Sequence, residues 1–304
     1  MVENILITGA TGTVGSEVAK QLSQLKENIT IRAAIHSQSK ADNLKQIVNE
    51  NKRIELTDFD YNEPTSVQKA LDNVDRVFLV TIPLPNSSDI LSNFVKEAKR
   101  NAIKHIVKLS VMNADAQPGY TIGRLHREEE KIIEESQIPY TFLRPTTFMQ
   151  NFINYFGHTI KSQNALYFNG GDVPISFVDA RDIAAVGVKI LSFAEDQYTY
   201  INKPINVTGQ ESLSYTQAAE ILSKEIGRKI SYIDISEDDA RNRMKHSDMS
   251  DWLIDIIIDS LNYINSGVHG SQTSKAVEQI TGRKPIVFGQ FVRDHIRFFR
   301  LREM

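Results

Sequence analysis

The chain has 304 residues, 41% of them hydrophobic, with a formal net charge of −3 and no cysteine. That length can bury a large core, as one α/β unit or as one unit with a smaller appendage. The charge provides no overall basic field for nucleic acid or acidic membranes, and without cysteine there are no disulfides, thiolate metal sites or cysteine nucleophile. The lack of thiols fits a reducing compartment. No apolar run approaches membrane-spanning length, and a strand pattern begins within a few residues of Met1, which leaves no room for a signal peptide. A cytoplasmic protein with no membrane partner and no direct nucleic-acid partner is expected.

The first strand pattern covers residues 5–8 and runs into Gly9-Ala10-Thr11-Gly12-Thr13-Val14-Gly15. A helical pattern over 14–25 follows, marked by Val14, Val18, Leu22 and Leu25. A Gly-x-x-Gly-x-x-Gly turn between strand and helix is a phosphate cradle. Gly9 permits the tight turn, Gly12 lets a pyrophosphate approach the backbone, and Gly15 lets the helix sit close on the strand. The alternative is a strand-to-helix turn with no ligand.

The second strand pattern, 30–35, is followed by His36-Ser37-Gln38-Ser39-Lys40, with no carboxylate before Asp42. An NAD site usually places an acid here for the ribose 2′-hydroxyl. Ser37 can donate a hydrogen bond, Lys40 adds charge, and His36 can stack on adenine or donate. The set suits a 2′-phosphate, so NADP(H) is favoured over NAD(H). The plainer alternative is a solvated loop with Ser39 capping the next helix, 41–48. Strand 54–59 then leads to Asp60 and Tyr61, helix 65–71, and strand 76–80 with Thr81-Ile82-Pro83 after it. In that last loop a backbone should pass under ribose and pyrophosphate, unless it is a plain turn. Helix 89–102, strand 105–110 ending in Ser110, helix 124–135 carrying His126, and strand 140–143 complete the alternation. Repeated βα units with right-handed crossovers predict a doubly wound parallel sheet of Rossmann type, whose ligands sit at the carboxyl ends of the strands.

After Pro145 the rhythm changes. Phe148, Met149, Phe152, Tyr155 and Phe156 either line a flat aromatic substrate pocket or form the core face of a helix. Asn151 either orients a substrate carbonyl or caps a local turn. A helix over 179–193 and a strand over 204–207 return to the main sheet. The remaining patterns, 215–226, 237–244, 251–264, 274–281 and 288–299, are helical. The expected organisation is a dinucleotide-binding domain over 1–150 that also recruits about 177–208. A smaller, mostly helical substrate lobe takes 151–176 and 209–304. The seven histidines show no zinc-type spacing, so no metal is expected.

Several segments together resemble the NmrA-like branch of the atypical short-chain dehydrogenase/reductase family. They are Thr8 to Gly15, His126-Arg127-Glu128-Glu129-Glu130, Tyr140-Thr141-Phe142-Leu143-Arg144-Pro145 and Phe148-Met149-Gln150-Asn151. Phe177-Val178-Asp179-Ala180-Arg181-Asp182-Ile183-Ala184, Asn206-Val207-Thr208-Gly209 and Phe288-Gly289-Gln290-Phe291 extend the likeness over essentially the whole chain. The resemblance implies a nicotinamide dinucleotide, Asp60 and its adjoining backbone facing the adenine amino group, and Thr146 and Phe148 in a backbone beside the nicotinamide; the alternative for Asp60 is a carboxylate that caps the helix starting at Pro64. The wider family uses a serine after strand five and a Tyr-x-x-x-Lys on the next helix. Registered on Glu130, the tyrosine position falls on Ile122 and the lysine position on His126, while Ser110 takes the serine position. Isoleucine cannot donate a proton, so tyrosine-assisted carbonyl reduction is not expected. His126 can instead hydrogen-bond the nicotinamide ribose or donate a proton, or it is a packed helix-face histidine. Glu130 reads as an internal hydrogen-bond anchor.

The resemblance implies an NADPH-dependent reductase of a quinone-, imine- or enone-like small molecule. The alternatives are a dinucleotide sensor with a protein partner and, more weakly, a sugar-nucleotide epimerase-like enzyme. A monomer or a homodimer is expected.

Overall fold

β-branched and aromatic residues dominate the short runs that become strands, and amphipathic segments between them become helices. The computed structural model describes residues 2–25, 28–36, 44, 53–192, 197–247, 249–267 and 270–300. In chain order the first elements are β1 (Glu3–Ile7), α1 (Thr13–Ser23), β2 (Ile29–Ile35), β3 (Ile54–Asp58), α2 (Pro64–Leu71) and β4 (Arg76–Leu79). Then come α3 (Ser87–Arg100), β5 (His105–Leu109), α4 (Thr121–Ser136), β6 (Tyr140–Pro145), α5 (Asn151–Asn154), α6 (Gly157–Gln163) and β7 (Ala165–Phe168). The rest are α7 (Ala180–Leu191), β8 (Lys203–Val207), α8 (Tyr215–Ile226), β9 (Ser231–Asp234), α9 (Glu237–Lys245), α10 (Asp251–Asn265), α11 (Ala276–Thr281) and α12 (Phe288–Asp294).

The chain divides into two compact units. The first takes Met1–Asp115, Gly123–Pro145 and Ala180–Asn206. Among the described residues its frame is a seven-stranded parallel sheet in the order β3-β2-β1-β4-β5-β6-β8. The order runs outward from β1 in both directions, so the chain reverses between β1 and β4. Ligands of open α/β sheets bind at such a reversal, outside the carboxyl ends of the strands. Ile5, Leu6 and Ile7 of β1 and Val77, Phe78 and Leu79 of β4 are fully buried, as strands covered on both faces require. One face packs Leu91, Phe94, Val95 and Ala98 of α3 with Val67, Ala70 and Leu71 of α2. On α7, a Cβ at Gly187 would come within 2.8 Å of the Phe78 ring, so only glycine lets this helix lie so close to the sheet.

The second unit takes Ala116–Ile122, Thr146–Asp179 and Val207–Met304. Its core is aromatic: Phe152, Phe156, Phe168, Phe177, Tyr215, Phe288 and Phe291 pack together. It also holds a two-stranded parallel sheet of β7 and β9, in which Ala165 pairs with Ser231 and Phe168 with Asp234. These two four-residue strands are absent from the mostly helical expectation, because runs that short carry almost no periodicity.

In the second unit two expected helices are shorter than their patterns. The segment predicted from residue 274 begins at Ala276, since the Ser274 amide donates to Thr208 Oγ1 at 2.8 Å. The last helix ends at Asp294, where His295 (φ −114°, ψ 21°) leaves α geometry and a 3-10 turn follows over Ile296–Phe298. Apart from residue 44, the helix expected over 41–48 lies outside the described residues. Among the described residues no helix is long and apolar enough to cross a membrane.

Candidate functional site

The carboxyl end of β1 is clamped to that of β4 by one threonine. Thr8 Oγ1 accepts from the Val80 amide at 2.7 Å and lies 3.1 Å from the Val80 carbonyl. The glycine turn springs from this clamp. Gly9 has φ +60°, a left-handed value that favours glycine, and the Gly12 amide donates to its carbonyl at 2.9 Å. A Cβ on Gly15 would stand 2.2 Å from that same carbonyl, so the third glycine is required for α1 to start where it does. Gly12 is the N-cap of α1 and supplies no side-chain cap, and the first turn of the helix holds no acidic residue. Gly12 and Thr13 are exposed and Thr11 is half-exposed, so the start of the helix is open to an anion.

The residues expected around the adenosine are partly described. His36 is exposed, with Nδ1 3.9 Å from Asp60 Oδ2. Ser37 and Lys40 lie outside the described residues. The Asp60 carboxylate accepts from the Asn62 amide at 2.8 Å and so shapes its own turn; the N-cap position of α2 is Glu63, whose side chain makes no capping bond. Tyr61 donates its hydroxyl to the Val80 carbonyl at 2.7 Å and packs its ring against Phe59 and Phe94. Burial holds its phenol far above the usual range. Tyr61 therefore supports the β4 loop with its hydroxyl committed. Thr81 likewise donates to Glu129 Oε2 at 2.8 Å, leaving its backbone as the part free to meet a ligand. Ile82 is 61% exposed in that loop.

His126 is joined to two charged residues that the sequence reading did not single out. Lys108, in β5, is fully buried and places Nζ 2.8 Å from Glu129 Oε2, 2.9 Å from the Leu109 carbonyl and 2.9 Å from His126 Nδ1. Glu129, one helical turn beyond His126 on α4, reaches Nδ1 at 3.2 Å. An ammonium only donates, so Nδ1 accepts from Lys108 and the imidazole proton sits on Nε2. Burial, and then the Lys108 charge, hold the His126 pKa below the ordinary histidine value. Burial alone would raise Glu129, but the charge and hydrogen bond of Lys108 outweigh it and leave the carboxyl at about 2. The signal for this triad was present: a lysine between Val107 and Leu109 in a doubly covered strand needs a buried partner.

Ser110, expected as a catalytic contact, belongs to a second network. Its hydroxyl donates to Glu130 Oε1 at 2.7 Å, and the residue is 2% exposed. Arg144 grips the same carboxylate in a fork, Nε at 2.9 Å and Nη2 at 2.6 Å, and reaches Asp115 with Nη1 at 2.9 Å. Arg127 adds a contact at 3.2 Å. Glu130 is thus the internal anchor that the sequence implied, and the Ser110 hydroxyl is engaged on it.

In the second unit, Thr146 Oγ1 donates to the Ser176 carbonyl and Phe148 bridges to Val178, which fixes this backbone. Phe148 and Asn151 are half-buried. Met149 and Phe152 are 2% and 0% exposed and pack within the aromatic core, where Phe152 lies 4.7 Å from Phe288. The core alternative holds for these two, in place of the pocket lining.

A parallel sheet that reverses at β1/β4, with an uncapped glycine turn at the reversal, defines a Rossmann-type dinucleotide-binding fold. The chain belongs to the NmrA-like family, whose description matches residues 1–278. An NAD(P)H azoreductase of Xenophilus azovorans is 30% identical over 295 residues, spanning 97% of this chain and 99% of the relative. A solved structure of the NADPH-dependent quinone oxidoreductase QOR2 of Escherichia coli, complexed with NADPH, superposes with a TM-score of 0.81 at 25% identity, covering 96% of this chain and 99% of that one. The triphenylmethane reductase of Citrobacter sp. complexed with NADP(H) shares the fold, with a TM-score of 0.80 at 23% identity over 95% of this chain and 99% of that one.

Proposed function

We propose that the protein is an NADPH-dependent reductase that delivers hydride to a small conjugated acceptor of the quinone, imine or enone kind, without a tyrosine acid. The observation that carries this reading is the glycine turn, where a Gly15 Cβ would collide with the Gly9 carbonyl and α1 begins uncapped. Relatives named as an NAD(P)H azoreductase and an NADPH-complexed quinone oxidoreductase support both the cofactor and a conjugated acceptor.

When bound, the reduced nicotinamide supplies the hydride. The chain itself supplies binding and orientation. The opening amides of α1 hold the diphosphate, and the Thr8 clamp keeps the β1 and β4 ends in register beneath it. His36, with Ser37 and Lys40, would meet the 2′-phosphate. His126 offers Nε2–H as a donor to ribose or to acceptor oxygen; Lys108 holds that tautomer by donating to Nδ1, and Glu129 holds Lys108. A quinone or iminium takes hydride without a strong protein acid, which fits the isoleucine at position 122. We assign nucleotide binding to residues 1–150 with about 177–208, and acceptor binding to the remainder.

The test is loss of NADPH absorbance with a panel of quinones, azo compounds and imines, beside calorimetry of NADPH and NADH. Turnover with any acceptor supports the enzyme reading. Tight NADPH binding with no turnover replaces it by a dinucleotide sensor, which the engaged Ser110 hydroxyl and Ile122 also favour. Failure to bind either nucleotide overturns both.

A further inference from the structure

We infer that the second unit carries a ligand site of its own, for a planar aromatic carboxylate or sulfonate. It lies in a cavity lined from α6, β7 and α9. The site goes beyond the nucleotide reading and does not depend on it.

The cavity measures about 430 Å³, within the size range of small-molecule sites. Its floor is aromatic. Phe156 and Phe168 are 5% and 8% exposed and meet edge to face at 5.1 Å, while Tyr155 presents a ring that is 46% exposed. Met244, Met249 and Ile257 complete the apolar side, and methionine adapts to flat ligands of varied outline.

The charge on the wall is one-sided. Arg243, His158 and His246 line the cavity, and no aspartate or glutamate stands among its described lining residues. The other cations of α9 are neutralised: Arg241 bonds Glu237 at 2.9 Å and Asp255 at 2.6 Å, and Lys245 pairs with Asp251 at 3.1 Å. Among the described residues no carboxylate pairs with Arg243. Its guanidinium carbon instead lies 4.3 Å from the centre of the Tyr167 ring. Stacking fixes the plane of the guanidinium and leaves its N–H edge unspent, the geometry that takes a carboxylate or sulfonate through two parallel hydrogen bonds. An aromatic floor beside such an edge matches an aromatic ring that bears one acidic group.

The test is calorimetry of the full-length protein with 2-naphthoate and with its neutral isostere 2-naphthamide. NADPH is titrated into the same preparations to report on the first unit separately. Saturable naphthoate binding is expected, with the amide weaker by about tenfold or more, the effect of a charge-assisted pair. Arg243→Met should remove that preference, and Ser247→Trp, which fills the cavity from an exposed position, should remove binding altogether. Both variants should keep the wild-type thermal transition and NADPH affinity. Equal affinity for acid and amide, no naphthoate binding, or full binding by Arg243→Met overturns the assignment whatever the NADPH result.

Discussion

Lys108 Nζ lies 2.9 Å from His126 Nδ1, and Glu129 Oε2 stands within 2.8 Å of the same ammonium. The lysine comes from the middle of a buried strand and the other two from one face of a helix. Their meeting fixes which imidazole nitrogen carries hydrogen. Protonating His126 would turn an Nδ1–H against Lys108, and its lowered pKa agrees with this. The arrangement predicts a neutral Nε2–H tautomer at pH 7, to be read from imidazole ¹⁵N shifts. An Nδ1–H signal there would contradict the Lys108 contact.

Removing Lys108 should be far costlier than removing the pair. Lys108→Met leaves the Glu129 carboxylate buried with only His126 and Thr81 beside it, and breaking such a pair costs about 3–5 kcal/mol. Adding Glu129→Gln removes the stranded charge and should recover a large part of that loss. Urea unfolding of the two single variants and the double variant measures the coupling. Additive losses would mean that the two residues do not share one interaction.

The glycine turn gives a graded prediction. A Cβ on Gly15 meets the Gly9 carbonyl at 2.2 Å, whereas one on Gly12 stands 3.2 Å from it. Gly15→Ala must push the helix off its seat, so it should abolish measurable NADPH binding and lower stability by about 1–3 kcal/mol, as overpacking does. Gly12→Ala should fold nearly normally and weaken NADPH binding through crowding at the diphosphate. Calorimetry and thermal melts of both variants test the ordering.

Ser110→Ala separates a structural serine from a catalytic one. Its hydroxyl donates to the Glu130 carboxylate, so truncation should cost about 1–3 kcal/mol of stability. NADPH oxidation by any accepted substrate should change by less than about threefold, under the 1.4 kcal/mol that a tenfold loss represents. A large drop in turnover at unchanged stability would restore Ser110 to the chemistry.

The fold was legible because β1 to β6 are separated by clear helix patterns and punctuated by Gly9, Pro64 and Pro145. The cradle was legible because its residue types are dictated by backbone contact. The polar network was legible only in part. His126 and Glu130 were found through motif position. Lys108, Glu129 and Arg144 act through tertiary contacts between strand and helix, about 20 residues apart for Lys108 with Glu129 and 14 for Arg144 with Glu130; a lysine in a covered strand signals that a partner exists, but no local pattern says which residue it is. Aromatic spacing around Phe152 could not separate core from pocket, since both need the same apolar helix face.

Acid should unfold the protein partly through His105. This histidine is 3% exposed in β5, with Nε2 3.0 Å from Thr141 Oγ1, which itself donates to the Tyr200 carbonyl. Thr141 therefore accepts from His105 Nε2–H. Burial, and then the nearby Arg76 charge, lower its pKa to about 4. The unfolded chain takes up the proton near pH 6.5 and the folded one does so only near 4, so the lost stability accrues as pH falls between those values. At pH 4.5 the loss from this residue comes to about 2.5 kcal/mol, at 1.36 kcal/mol per pKa unit. His126 shifts in the same direction and adds to the slope. His105→Gln keeps a donor for Thr141 but has nothing to titrate. Its urea-unfolding free energy should therefore fall less steeply than the wild type's from pH 7 to pH 4.5, by about that amount. Parallel profiles for the two proteins would exclude His105 as an acid-sensitive group.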